Sequence, residues 1–301
     1  TTNMSSPVQI GSAVTWKNVF ASWYSCIAVK TDGTQWIWGD STGGQLGNSL
    51  APGNVGVPTQ LGALTTWLQF SGGYIFNIGT RTDGTLWATG KNTVGQLGLG
   101  DTTQRNVFTQ VGGLTTWLKT ACGYSASYAI KTDGTMWSWG ANTKGELGDN
   151  STTNRNSPVQ IGALTTWSEL PRHAGFTFSC AIKTDGTLWA WGEGSNGQLG
   201  QGNTTDYSSP VQVGALTTWS KVSCGRAFVI ATKTDGTLWA WGTGGAGALG
   251  QGNTTGYSSP VQVGALTTWA SVSTGSAMSL AITTDGKLYG WGTNSDGQLG
   301  Q

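Results

Sequence analysis

Residues 208–242 read SSPVQVGALTTWSKVSCGRAFVIATKTDGTLWAWG, and altered copies of this phrase fill the rest of the 301-residue chain. The Asp of the TDG triplet marks the period of about 50 residues, recurring at Asp32, Asp83, Asp133, Asp185, Asp235 and Asp285. Self-similarity at such a period is typical of propellers, solenoids and arrays. We therefore predict a single domain, residues 1–301, of six repeats with approximate bounds 1–48, 49–99, 100–149, 150–201, 202–251 and 252–301.

The fifth copy predicts four short strands. Residues 210–213 begin with Pro, which suits an outer edge strand, and residues 219–223 and 228–233 are two further strand-like runs. Asp235-Gly236 then gives a strong hairpin signal, followed by alternation over residues 238–241. Four strands with tight turns describe a propeller blade, and the copies lack the 3.6-residue periodicity of helical solenoids. The sequence thus predicts an all-β, six-bladed β-propeller.

The two ends of the chain predict how the ring closes. Residues 1–11, TTNMSSPVQIG, match the junction between two internal copies, and the chain stops at GQLGQ, just before such a junction. The strand at residues 7–10 therefore lacks a blade of its own, and the last blade lacks its outer strand. We predict that the N-terminal strand pairs with the last blade, because this closure removes exposed sheet edges.

Tryptophan recurs at fixed offsets in the repeats. Residues that recur in every copy are typical of packing between twisted blades, so we interpret these rings as core rather than as platforms for sugars or bases. One offset holds Trp16, Trp67, Trp117, Trp167, Trp219 and Trp269, and a second holds the pairs Trp36/Trp38, Trp137/Trp139, Trp189/Trp191 and Trp239/Trp241. The second repeat keeps Trp87 but has Thr89 in place of the other ring.

Composition narrows the function classes. Charged residues make up 10% of the chain and the net charge is +1, without a basic run, which argues against nucleic-acid binding. No apolar stretch reaches the 18 residues of a membrane span. The four cysteines fit no zinc motif, and we interpret them as free, buried, small apolar residues: Cys26, Cys122, Cys180 and Cys224.

The segments VSCG (222–225), AIKTDGTLWAWG (181–192) and NGQLGQG (196–202) resemble the repeats of the regulator of chromosome condensation family. The resemblance extends over all six copies and implies a propeller, although that family usually has seven blades. It also implies binding to proteins. Family members include an exchange factor for a small nuclear GTPase that docks on chromatin, secreted inhibitors that cap an enzyme, and interaction domains of larger proteins.

The chain offers little for catalysis. His173 is its one histidine, so no Ser-His-Asp or Cys-His arrangement can be assembled with any other histidine. Six of the 14 acidic residues are the TDG aspartates, for which the repeat predicts a structural role. Phosphate-binding loops, dinucleotide fingerprints and metal-ligand clusters are absent from the sequence. We predict a protein that is not an enzyme and that uses no cofactor and no metal.

The copies differ in the turn that follows the strand opened by the first Trp of each repeat. Exposed aromatic residues with an arginine would make a binding ring on one rim, and inward packing at the channel mouth is the alternative. The candidate binding residues in this turn are Trp23, Tyr24, Tyr74, Tyr124, Phe176 and Arg226.

An insertion in the fourth repeat gives a second candidate site. The segment between Trp167 and Lys183 is two residues longer than in the other copies, and it carries Arg172 and His173. These two residues are candidates for a partner contact, with a plain surface bulge as the alternative.

Low charge and abundant Gly, Thr, Ser, Asn and Trp predict a rigid extracellular or virion-surface subunit. Such a subunit would act as a structural part or receptor-binding head, through a protein partner or self-assembly. One alternative is an exchange-factor-like or inhibitor-like propeller that binds one protein partner. A second is a lectin that binds glycans. A cytoplasmic or nuclear location stays open.

Overall fold

The structure, a computed structural model, describes residues 8–49 and 53–300. The strands in these ranges form six antiparallel sheets, the blades of a six-bladed β-propeller, and the helical content is one short 3-10 turn at Gly245–Gly247. The predicted all-β fold is confirmed. None of the helical structure in these ranges is long and apolar enough to cross a membrane.

Three of the sheets lie in a first unit, which comprises Ile10–Thr143 and Thr152–Thr165. Each sheet has four strands in chain order. Sheet 1 contains β1 (Trp16–Ala21), β2 (Ser25–Lys30), β3 (Gln35–Asp40) and β4 (Asn54–Gln60). Sheet 2 contains β5 (Trp67–Gly72), β6 (Phe76–Arg81), β7 (Leu86–Gly90) and β8 (Arg105–Gln110). Sheet 3 contains β9 (Trp117–Cys122), β10 (Ala126–Lys131), β11 (Met136–Gly140) and β12 (Arg155–Gln160).

The other three sheets lie in a second unit, which includes Lys144–Ser151 and residues 166–300. Sheet 4 contains β13 (Trp167–Glu169), β14 (Phe178–Lys183), β15 (Leu188–Gly192) and β16 (Tyr207–Gln212). Sheet 5 contains β17 (Trp219–Cys224), β18 (Phe228–Lys233), β19 (Leu238–Gly242) and β20 (Tyr257–Gln262). Sheet 6 contains β21 (Trp269–Thr274), β22 (Met278–Thr283) and β23 (Leu288–Gly292).

The outer strand of a sheet comes from the repeat that follows it. Strand β16 opens the fifth repeat yet pairs with β15 of the fourth sheet, with Ala190 opposite Val211. Strand β20 completes the fifth sheet in the same way. This offset of one strand ties successive repeats together by backbone hydrogen bonds.

The sixth sheet has three strands in the described part of the chain. Of the predicted closing strand, Pro7 lies outside the described residues, and Val8–Ile10 are not assigned to a strand. On β23, the last of these three strands, Leu288 is 65% exposed and Tyr289 is 39% exposed. Closure by the N-terminal segment, like the single-domain assignment, stays a prediction.

Tryptophan side chains join neighbouring sheets. Trp139 is fully buried, and its indole N–H donates to the carbonyl oxygen of Gln96 in the preceding repeat at 3.0 Å. Trp191 and Trp241 are also fully buried and donate to Glu146 and Gln198 at 2.8 and 3.0 Å. The predicted core role of these rings is confirmed, and the indole N–H satisfies a buried carbonyl that the turn leaves open.

The TDG turns are held by their own side chains. Asp83 accepts hydrogen bonds from the backbone N–H of Thr85 at 3.0 Å and from its hydroxyl at 2.6 Å. The Thr85 hydroxyl in turn accepts the indole N–H of Trp87 at 2.8 Å. The same three bonds recur around Asp133, Asp185 and Asp235. The aspartates therefore have a structural role, as the repeat predicts.

Acid is expected to weaken these turns. Hydrogen bonds from the following Thr lower the pKa of five turn carboxyls, those of Asp32, Asp83, Asp133, Asp185 and Asp235. In the unfolded chain the pKa of Asp is about 3.9. A carboxyl with a lower pKa in the folded protein stabilises the fold at any pH above about 3.9, and this stabilisation is lost as the pH falls through the pKa of the folded state. We expect the thermal midpoint to fall between pH 6 and pH 3, and to fall less in Asp83→Asn. A midpoint constant over that range would contradict this.

Basic side chains lie between two tryptophan rings, a feature that the sequence analysis missed. The Lys131 ammonium is 3.6 Å from the ring centroid of Trp137 and 4.8 Å from that of Trp117. Such cation–π contacts stabilise by about 0.5–2 kcal/mol each. Other repeats have the same arrangement, around Lys30, Arg81, Lys183 and Lys233. A basic residue two positions before the TDG Asp in five of six copies was the available signal.

Candidate functional site

In the first unit, the turns between the first and second strands of sheets 1, 2 and 3 present four aromatic side chains. These are Trp23 and Tyr24 between β1 and β2, Tyr74 between β5 and β6, and Tyr124 between β9 and β10. We call Trp23, Tyr24, Tyr74 and Tyr124 the aromatic cluster. The structure brings together all four of the binding residues predicted in this unit.

The aromatic cluster is packed ring against ring. Tyr74 and Tyr124 are stacked with centroids 4.3 Å apart. Trp23 meets both of these rings edge-on at 5.8 and 6.0 Å, and Tyr24 meets Tyr74 at 5.4 Å. Edge-to-face and offset contacts at these separations are favourable because the positive ring edge meets the negative ring face.

The four rings differ in how far they reach solvent. Tyr24 is 49% exposed, while Trp23, Tyr74 and Tyr124 are half-buried. The rings therefore pack on one another and still present an aromatic surface, and binding at this surface stays a prediction.

The backbone beneath the aromatic cluster fixes its geometry. The N–H of Tyr74 donates to the carbonyl oxygen of Tyr124 at 3.1 Å, so the turns of sheets 2 and 3 are bonded directly. The N–H of Gly73 closes its own turn on the carbonyl oxygen of Phe76 at 2.9 Å. A Cβ at Gly73 would lie 2.0 Å from the ring of Phe76, so the buried ring beneath the turn excludes a side chain there.

The hydroxyls of Tyr24 and Tyr124 are uncharged at neutral pH, because the pKa of each is raised above that of a free tyrosine. The hydroxyls of Tyr24 and Tyr74 are 3.4 Å apart, and this contact raises the pKa of Tyr24. Burial raises the pKa of Tyr124, and the neighbouring Tyr74 adds to the effect. A neutral aromatic surface suits apolar and uncharged polar groups of a partner, and cations over a ring face, better than anionic groups.

In the second unit, the same turns hold Phe176 and Arg226. The guanidinium carbon of Arg226 lies 5.3 Å from the centroid of the Phe176 ring, within cation–π range. The N–H of Phe176 donates to the carbonyl oxygen of Arg226 at 3.4 Å, and the N–H of Arg226 donates to Ser276 at 3.0 Å. Arg226 is exposed, so this pair is a second candidate contact.

The insertion of the fourth repeat replaces part of a strand. Strand β13 has three residues where the corresponding β17 has six. The insertion instead bonds to β17, with the N–H of Arg172 donating to Val222 at 3.2 Å and the N–H of Cys224 donating to His173 at 2.9 Å. The extra residues therefore form part of the contact between sheets 4 and 5, which periodicity alone does not reveal.

The two predicted residues of the insertion differ in exposure. Arg172 is exposed, whereas His173 is half-buried and its Nδ1 lies 2.8 Å from the carbonyl oxygen of Ala174. Burial lowers the pKa of His173. Arg172 therefore stays a candidate contact, and His173 is held by the fold as a neutral side chain.

Chemical groups for a metal site are sparse. Across residues 8–49 and 53–300, no group of three or more His, Cys, Asp and Glu side chains is placed to hold a metal ion. Cys122, Cys180 and Cys224 are buried thiols and Cys26 is half-buried. The candidate contacts are thus the aromatic cluster, the Phe176–Arg226 pair and Arg172 of the insertion.

Comparison with sequence families decides the membership of the chain. The profile of the regulator of chromosome condensation (RCC1) repeat matches residues 83–130, 133–182, 185–232 and 235–282. A second profile of the same repeat matches residues 117–146 and 269–298. The chain belongs to the RCC1 repeat family. The resemblance noted in the sequence is confirmed, and the RCC1 repeats account for its Trp, Gly and TDG pattern.

Three solved structures share the fold. Human WBSCR16 is similar with a TM-score of 0.87 and 20% identity, over 98% of this chain and 81% of that chain. Yeast RCC1 (Prp20), solved with Kap60 bound, gives 0.83 and 16%, over 95% and 71%. A second structure of Prp20p, from Saccharomyces cerevisiae, gives 0.77 and 16%, over 93% and 70%. The extracellular or virion-surface location predicted from composition finds no support in these three structures.

Proposed function

We propose that this chain is a non-catalytic module that binds one protein partner through its aromatic cluster. The observation that carries the proposal is the exposed Tyr24 ring, held against Tyr74 on turns that are bonded to one another. This proposal corresponds to the alternative hypothesis from the sequence analysis, a propeller that binds one protein partner, rather than to a virion or surface appendage.

The aromatic cluster has the physical properties of an interface anchor. Tyr and Trp side chains dominate binding hot spots because they bury a large apolar area and keep a polar group for hydrogen bonding. Stacking of Tyr74 on Tyr124 orders these rings before a partner arrives, which lowers the entropy cost of binding. The polar groups at the surface are the hydroxyls of Tyr24 and Tyr74.

The relatives support a protein as the partner. Yeast Prp20 was crystallised with Kap60, and its binding properties toward Gsp1p and histones have been described. These partners belong to Prp20, and at 16% identity the likeness extends to the fold. A protein-binding role is the one that this family membership and the aromatic cluster favour together.

Absence of catalysis is part of the proposal. His173 is the one histidine of the chain, and it is engaged with the carbonyl oxygen of Ala174. The turn aspartates accept hydrogen bonds from neighbouring Thr residues, so these carboxylates hold the turns.

The proposal is tested by replacing the exposed ring. The partner is captured from lysate of the source organism on immobilised protein, identified, purified, and titrated by calorimetry against wild type and Tyr24→Ala. We expect a one-to-one complex whose dissociation constant rises at least about 10-fold in the variant, since aromatic anchors contribute about 2 kcal/mol or more.

Leu114→Ala is the matched control. Leu114 is an exposed apolar residue of the same unit, placed before β9, while Tyr124 follows the other end of that strand. The control should bind as wild type does. Equal affinity of wild type and Tyr24→Ala would exclude the aromatic cluster as the contact. Loss of glycan binding in the variant, without a protein complex, would replace the proposal by the lectin alternative.

A further inference from the structure

Two cysteines face each other across the boundary between sheets 4 and 5. Cys180 lies on β14 and Cys224 ends β17, and their Sγ atoms are 3.2 Å apart. Both are fully buried in an apolar cluster that also contains Phe178 and Val222. Neither sulfur is used by the proposed function.

This pairing is a departure from the repeat. The positions that correspond to Cys180 hold larger apolar residues: Ile27, Ile78, Tyr128, Ile230 and Leu280. Cys122 corresponds to Cys224 in the third repeat, but it shares its core cluster with Ile78, and its thiol donates to the carbonyl oxygen of Ser71 at 3.4 Å. Sheets 4 and 5 therefore bring two thiols together where sheets 2 and 3 set a thiol against a hydrocarbon.

We propose that Cys180 and Cys224 are an oxidation site, at which a peroxide produces a disulfide that links sheets 4 and 5. A disulfide needs its sulfurs about 2.05 Å apart, so the two Sγ atoms must approach by roughly 1.1 Å. Rotation of the two side chains can supply a movement of this size. The two residues are 44 positions apart, so the bond would close a long loop of chain.

The chemistry balances with hydrogen peroxide as oxidant. One thiol ionises, and its thiolate attacks one oxygen of the peroxide, so that an S–O bond forms, the O–O bond breaks and hydroxide leaves. The hydroxide takes up the proton lost by the thiol, which gives a sulfenic acid and one water. The second thiolate then attacks the sulfenic sulfur, the S–S bond forms and the S–O bond breaks, and the departing hydroxide becomes the second water with the proton of the second thiol. Two thiols are oxidised by two electrons and one peroxide is reduced to two waters. Burial raises the pKa of Cys180, so the reaction is expected to be slow at neutral pH and faster in mild alkali.

The test is a thiol count with peptide mapping on the folded chain. Reduced protein is exposed to hydrogen peroxide, denatured in N-ethylmaleimide and digested with trypsin, which places the four cysteines in four separate peptides. We expect two of four thiols to be lost and residues 173–183 to be linked to residues 222–226. The thermal midpoint of the oxidised protein should rise by roughly 5 °C or more and return after reduction.

Two variants separate the pair from the other thiols. Cys180→Ile restores the residue type of other repeats, and we expect this variant to lose no thiol to a disulfide. The double variant Cys26→Ser/Cys122→Ser keeps only Cys180 and Cys224, and we expect it to lose both thiols, the same number that wild type loses. A link that involves Cys26 or Cys122, sulfinic acid at Cys180, or four thiols intact after peroxide would each overturn the proposal. None of these outcomes depends on the binding partner.

Discussion

We expect Trp191→Ala to lower the free energy of unfolding by about 3–5 kcal/mol, which is the range for deletion of a fully buried large aromatic ring. The side chain is fully buried, and its indole N–H donates to the carbonyl oxygen of Glu146 at 2.8 Å. The substitution therefore opens a cavity and also leaves a buried carbonyl without its donor. Urea unfolding measures this loss of free energy, provided that the dependence of the free energy on urea concentration is the same in both proteins.

Trp189→Ala is the control on the same strand. Trp189 is half-buried, so its removal exposes less new surface and is expected to cost less than Trp191→Ala. Equal losses in the two variants would contradict the assignment of Trp191 to the contact between successive repeats.

In sheet 2, a different side chain fills the space that this Trp ring occupies in other sheets. Thr89 stands where Trp139 and Trp191 stand in other repeats. Phe108, on the outer strand of sheet 2, stands where the outer strand of sheet 3 has Pro158. The ring of Phe108 covers Gly47, where it would lie 2.6 Å from an added Cβ. Trp139 covers Gly98, the corresponding glycine of the next repeat, in the same way. Thr89→Trp alone should therefore overpack this site, and Phe108→Pro in the same chain should relieve it.

Gly84→Ala is expected to destabilise by about 2–4 kcal/mol, because two effects add. Gly84 has φ +76°, a conformation that costs an L-residue about 1–2 kcal/mol. A Cβ there would also lie 2.1 Å from the carbonyl oxygen of Thr115, in the loop before β9. That loop is tied to the turn, since the N–H of Trp117 donates to the carbonyl oxygen of Gly84 at 3.0 Å, so the backbone has little freedom to yield.

Gly112→Ala separates strain from collision. Gly112 has φ +60° in the same unit, and a Cβ there would meet nothing within 4 Å. Its cost should be that of the dihedral angle, about 1–2 kcal/mol. Thermal or urea unfolding of both variants gives the comparison, and a Gly84→Ala loss no larger than that of Gly112→Ala would refute the close approach of turn and loop.

Strand positions were well predicted because they depend on local chemistry. The predicted run of residues 228–233 is β18, Phe228–Lys233, and the run that begins at Trp219 is β17, Trp219–Cys224. Alternating side chains and the Asp-Gly turn determine these elements within a few residues of sequence. The predicted outer strand at residue 210 began later than observed, since β16 starts at Tyr207.

The candidate site was predicted only as a set of residue types. Deviation from the repeat located Trp23, Tyr24, Tyr74 and Tyr124, and the structure placed them in contact. Whether the rings would face solvent or pack inward depends on contacts between turns about 50 residues apart in sequence. The sequence also located Arg172 and His173, but it did not show that their backbone bonds to β17.

The sequence by itself determined the all-β class, the six repeats and the family, because the period, the TDG turns and the Trp offsets are written in each copy. Only the tertiary structure decided which residues of different copies meet. It brought Cys180 against Cys224, Phe108 into the place of a missing Trp, and Tyr74 onto Tyr124. The physical reason is that a repeat specifies its own strands locally, whereas contacts between repeats depend on the side-chain volumes that two sheets must share.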